Sequence, residues 1–141
     1  MNILIIIILF LLLCNKKKET FSSTKNHAVI AKFAKTYSQI KKGLMFVKNP
    51  LPVNEGMLFI MESKARHSFW MKNTFIPLDM IFLDENYRVL GFLQDRKPHD
   101  LTSKSIKKPS NFVLEMNGGW VKKNNVKIND IINIKQKIED M

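Results

Sequence analysis

The stretch RHSFWMKNTFIPLDMIFLD, Arg66 to Asp84, decides how this chain is read. Residues 67–72 and 78–83 have the length and apolar content of two short strands, and Asn73 to Pro77 between them is a link of hairpin length. Antiparallel pairing would set Asp79 beside Met71 or Lys72, depending on a register that differs by one residue. Asp79 is the residue that needs explaining, since an ionised carboxylate inside Leu78–Leu83 costs several kcal/mol unless it is partnered. Lys72, Asn73 and the turn backbone are the partners expected. Along 67–72, Ser68, Trp70 and Lys72 share one face and His67, Phe69 and Met71 the other. A Trp beside Lys and Asn is a platform on which a sugar or ring can stack while its neighbours donate hydrogen bonds. Trp70, Lys72, Asn73 and Asp79 are therefore the candidate ligand contacts. Two plainer readings stand beside this one: Asp79 as the lock of the hairpin, and Trp70 as a core residue.

Outward from this stretch the chain reads as a series of short strands. Val29, Ala31 and Phe33 alternate with Ile30, Lys32 and Ala34, which is a strand period. Thr36 can cap a short helix over Tyr37 to Lys42, and Gly43 can end it in a left-handed conformation. Pro50 and Pro52 then impose an exposed loop. Further strands are expected at Met57–Met61, Tyr87–Leu93, Phe112–Met116 and Ile131–Ile134, with a helical turn over Gly118–Asn125 that brings Trp120 over the sheet's end as a lid. About seven short strands and two small helices predict a mainly β domain, a single jelly-roll-like sandwich or open barrel.

The motifs GLMF (Gly43–Phe46), EGMLFIM (Glu55–Met61), SFWMKNTFIPLD (Ser68–Asp79) and NFVLEMNGGW (Asn111–Trp120) occur in that order. Together they closely resemble the signature of a bacterial and archaeal family known as domain of unknown function 192, over about Val29 to Ile134. The resemblance implies a jelly-roll-like β fold and no known activity. The chain departs from the family pattern in two places. A loop that is usually Cys- or Pro-rich reads DRKPHDLTSKSIKKPS, and a usual Gly-Asp pair reads Asn129-Asp130.

The amino-terminal segment carries a separate signal. Ile3 to Leu13 is an unbroken apolar run ending at Cys14, the only cysteine of the 141-residue chain. A membrane-spanning helix needs about 20 such residues, so the run fits the apolar region of an export signal instead. Leu11-Leu12-Leu13-Cys14 looks like a lipoprotein cleavage box, with Leu13 in place of the usual small residue. The expected division is a leader over 1–14, a polar tether over 15–26 and one β domain over 27–137. The expected location is outside the cytoplasm, in the periplasm or at the cell surface, with a lipid on Cys14 as the membrane anchor. Lys16, Lys17 and Lys18 could each add about 1 kcal/mol of attraction to an anionic bilayer.

The net charge of +11 comes from 23 basic residues, only three of them Arg. Base readout and phosphate forks favour Arg, and no interleaving of aromatic and basic residues of the kind that stacks bases is present. This argues against nucleic acid as a partner. Eight Met and three His raise the question of copper. No His-x-His or Met-x-x-Met spacing occurs, however, so no metal or cofactor is expected, and His67 and Met71 are the least unsuited ligands. Catalytic signatures are equally absent, because no Ser sits in a nucleophile elbow and the domain beyond Cys14 has no thiol. The expectation is a binding module for an unknown small ligand or an envelope protein partner. One rival is a cell-envelope glycan hydrolase using Asp79 and Glu115, which requires both carboxyl groups in one cleft within about 10 Å. Another is an accessory domain that stabilises an envelope protein.

Overall fold

A computed structural model describes residues 2–3 and 23–138; Cys14 and most of the 15–26 tether lie outside them. The elements are β1 (Asn26–Ala34), α1 (Tyr37–Lys42), β2 (Glu55–Ala65), β3 (Leu78–Leu83), β4 (Val89–Arg96), β5 (Ser110–Asn117), α2 (Trp120–Lys123) and β6 (Ile131–Gln136). Six strands form one mixed sheet in the order β4-β3-β5-β2-β1-β6. β1 runs parallel to both β2 and β6, while the β2–β5, β3–β5 and β3–β4 pairs are antiparallel. The sheet curls until its two edges touch at one end, where Arg88 bridges Ile131 and the Val89 N–H donates to the Asp130 carbonyl at 2.9 Å. The architecture is thus a mainly β half-barrel with two short helices. Among the described residues no helix is long and apolar enough to cross a membrane.

Apolar residues cover both faces of the sheet. One face packs Val29, Leu58, Ile81, Leu114 and Ile132 against Trp120 and Val121 of α2. The other packs Phe59, Leu78, Met80, Phe82 and Val113 beneath Leu44, Met71 and Ile76 from the connecting segments. All six residues of β3 are buried, which is why its sequence reads as an apolar run and not as an alternation.

The local signals for α1 are met. Thr36 Oγ1 accepts from the Gln39 N–H at 3.2 Å, and Gln39 Oε1 accepts from the Thr36 N–H at 3.0 Å, a complete capping box. Gly43 ends the helix with φ 48°, and a Cβ there would also lie 3.1 Å from the Phe59 ring.

The expected hairpin between 67–72 and 78–83 does not form. β3 is paired on both sides, by β4 and β5, and offers no free edge. Residues 67–72 leave the sheet instead and cross over it. Their partner is the loop after β4: Phe69 and Lys104 exchange N–H···O bonds of 2.9 Å each, and the Met71 N–H donates to the Asp100 carbonyl at 2.8 Å. The alternation read from the sequence nevertheless survives without a strand, with Ser68, Trp70 and Lys72 exposed and Met71 fully buried.

Candidate functional site

The crossing segment and α1 form the walls of a cavity of about 210 Å³ over the second face of the sheet. Phe59 and Met61 of β2 and Glu115 of β5 lie at its floor, Gly43 and Leu44 on one side, and Phe69 and Thr74 on the other. The Phe69 ring anchors its segment by edge-on contacts to Phe59 and Phe82, with centroids 5.3 and 6.2 Å apart. Lys41, Lys42, Met45, Trp70 and Lys72 line both this chamber and a wider groove of about 720 Å³ outside it. They therefore mark the mouth. Gly43 and Met45 come from the first motif, Phe59 and Met61 from the second, Trp70 and Lys72 from the third, and Glu115 from the fourth. Four separated stretches thus converge on one hollow.

Glu115 is the unusual group there. Its cross-strand neighbour Met80 lies in the second core, while Leu114 and Met116 on either side of it point into the first. Alternation along β5 therefore aims the carboxyl at the cavity. The side chain is 5% exposed, and Oε2 has no hydrogen-bond partner among the described residues. Burial disfavours the charged form and pushes the carboxyl up to about 8 from an ordinary 4.5, with no lysine offsetting it. At neutral pH the cavity floor thus holds a neutral acid, able both to donate and to accept a hydrogen bond.

At the mouth, Trp70 is 46% exposed, and the Lys72 ammonium sits 5.1 Å from the indole centroid. Asn73 and Phe46 both hold positive φ, 52° and 68°, and the Asn73 carbonyl accepts from the Phe46 N–H at 2.8 Å. Non-glycine residues in that region store strain, which clusters at functional sites.

The loop that departs from the family pattern fixes the Trp70 segment from behind. Arg96, 4% exposed, donates to the Phe69 carbonyl at 3.3 Å and to the Thr102 carbonyl at 2.9 Å, and pairs with Asp100 at 3.5 Å. The Thr102 backbone and hydroxyl hold the Asp100 carboxyl below its ordinary range, with help from Arg96. A basic residue at the end of an apolar strand followed by a polar loop was the only sequence sign of this clamp. His67, considered above for a metal, places Nε2 3.1 Å from the Ser63 carbonyl and 3.2 Å from that of Ser110.

Asp79 lies elsewhere. Its register with Met116 puts it on the first face of the sheet, opposite Glu115. It is fully buried and accepts three backbone N–H bonds: from Asp95 at 2.8 Å, Gly119 at 3.2 Å and Val121 at 2.8 Å. The expected partners Lys72 and Asn73 play no part. Asp79 instead ties β4 and the start of α2 to the centre of the sheet. The structure brings Trp70, Lys72 and Asn73 together around the mouth and leaves Asp79 out. Asp79 and Glu115 cannot serve one cleft as acid and base, which removes the basis of the hydrolase reading. Trp120 is 7% exposed against the first core, and its indole N–H donates to Asn54 Oδ1 at 3.0 Å.

Fold and motif order together specify the family: residues 19–134 match DUF192, described as an uncharacterized ACR, and the chain belongs to that family. A solved protein of unknown function from Novosphingobium aromaticivorans is 37% identical, with a TM-score of 0.68 over 72% of this chain and 71% of that one. A protein from Sinorhizobium meliloti, described as a "putative transcription regulator", is 33% identical, with a TM-score of 0.68 over 72% of this chain and 78% of that one. No curated protein matches.

Proposed function

We propose that this chain is a membrane-tethered, extracytoplasmic β module that binds a small ligand in the cavity between Trp70 and Glu115. One observation carries the binding reading: a buried carboxyl with an unsatisfied oxygen faces a hollow that opens past a half-exposed Trp. A buried acceptor without a partner costs about 1–3 kcal/mol, and a ligand that completes the bond recovers this. The tethering part rests on the Ile3–Leu13 run and Cys14. DNA regulation, suggested by the name of one relative, finds little support. Among the described residues, α1 and α2 span six and four residues, too short to lie along a major groove as a recognition helix does.

A fragment set screened by ligand-observed NMR and tryptophan fluorescence tests the reading. Hits whose signal is lost in both Trp70→Ala and Glu115→Leu support it. Hits indifferent to both substitutions, or none at millimolar concentration, overturn it.

A further inference from the structure

Resting on that reading of the cavity, we propose that its ligand is a small organic monoanion, with a single-ring or similarly compact apolar body, a hydroxyl or carbonyl at the deep end and one carboxylate-like group at the mouth. Each part of this description answers to a layer of the cavity. Ile40, Leu44, Phe59 and Phe69 surround the chamber and favour an apolar body. Its volume of about 210 Å³ lies below the roughly 300–1,000 Å³ of pockets that hold drug-sized ligands, which limits that body to about one ring.

At the floor, Glu115 offers one donor and one acceptor while protonated, a pairing that a hydroxyl or carbonyl satisfies. Among the described residues, the other polar side chains inside the mouth are Ser68 and Thr74, and the Thr74 hydroxyl already donates to the Lys72 carbonyl at 3.1 Å. A pyranose, with a hydroxyl on nearly every carbon, would leave most of them unpaired. At the mouth, Lys41 and Lys42 from the last turn of α1 converge with Lys72 from the crossing segment. Three lysines that line both the chamber and the outer groove repel a cation and attract an anion. These lysines and Glu115 are the titratable groups that line the chamber.

Binding should therefore depend on pH through Glu115. Once ionised it places a negative charge behind the ligand's own anion and can no longer donate.

The test is calorimetric titration of the full chain with three matched probes: 4-(hydroxymethyl)benzoate, the neutral 1,4-benzenedimethanol and the cationic 4-(hydroxymethyl)benzylamine. At pH 6 the carboxylate should bind at least tenfold more tightly than the diol, and the amine more weakly than either. Lys72→Met, an exposed substitution with little bearing on folding, should weaken the carboxylate several-fold and leave the diol unchanged. Raising the pH to 9.5 should weaken the carboxylate in the native protein and not in Glu115→Gln. Equal affinity for carboxylate and diol, or preference for the amine, overturns the anion assignment. If none of the three binds while other fragments bind in a Trp70-dependent way, the ligand class is wrong and the cavity reading stands. If no fragment binds in a Trp70-dependent way, both fall.

Discussion

Replacing Glu115 by Gln should stabilise the protein in alkaline solution, an unusual outcome for a change in a β-strand core. The folded carboxyl is pushed up to about 8 by burial, against 4.5 when exposed. Between those values the folded state keeps a proton that the unfolded chain has released. Stability then falls as pH rises, by about 1.4 kcal/mol per unit. Across the whole window the loss approaches roughly 5 kcal/mol, an upper bound because local water penetration relieves part of it. Gln keeps the shape and cannot ionise. Below pH 5 the native protein and Glu115→Gln should differ by no more than about 1 kcal/mol, the cost of an imperfectly bonded amide. From pH 6 upward the variant should pull ahead, reaching an advantage of about 3–5 kcal/mol at pH 9. Urea denaturation of both proteins from pH 4.5 to 9.5 measures this, and every other titrating group cancels in the difference. A difference that stays flat within about 0.5 kcal/mol across that range would show that the carboxyl is solvated and refute the argument.

Asp79→Asn should lower stability by about 2–4 kcal/mol and the melting temperature by roughly 10 °C, since the new amide N–H faces a backbone donor; an unchanged thermal melt would contradict the three-bond description. Arg96→Met should speed amide exchange at Phe69 and Met71 at least tenfold relative to β3, because the clamp on their segment is lost, and equal protection factors by hydrogen-exchange mass spectrometry would count against the clamp. Cys14→Ser should abolish incorporation of labelled fatty acid and release the protein from the membrane fraction; retention with labelling intact would remove the lipid anchor from the proposal.

The strand positions and α1 were legible because they follow from local rules. Alternation marks β1, and Thr36 before Tyr37 marks the start of α1. The 67–72 segment misled because its alternation is real but has a different cause. It reports a chain pinned between the core below, through Phe69 and Met71, and solvent above, through Trp70 and Lys72. A strand produces the same pattern. Asp79 and Glu115 look alike in sequence, each a lone acid within an apolar strand. Only register puts one against three backbone donors and the other against a hollow, and register across strands 30 or more residues apart is not written in either strand.

The placement of β1 bears on how the molecule is made. The first strand lies between β2 and the last strand, and its approach is fastened by the Lys25 N–H donating to Asp130 Oδ1 at 3.0 Å, a contact across 105 positions of chain. His27 adds a 2.8 Å contact to the same carboxylate. Burial alone would raise the Asp130 carboxyl, but His27 and the Lys25 and Lys127 N–H groups hold it below its ordinary range. A ribosome must therefore release the chain through Gln136 before β1 has both neighbours, and contacts that distant close slowly. Until then the nascent chain has no complete sheet, and a truncation that removes β6 would turn β1 from an interior strand into an edge held by β2 alone.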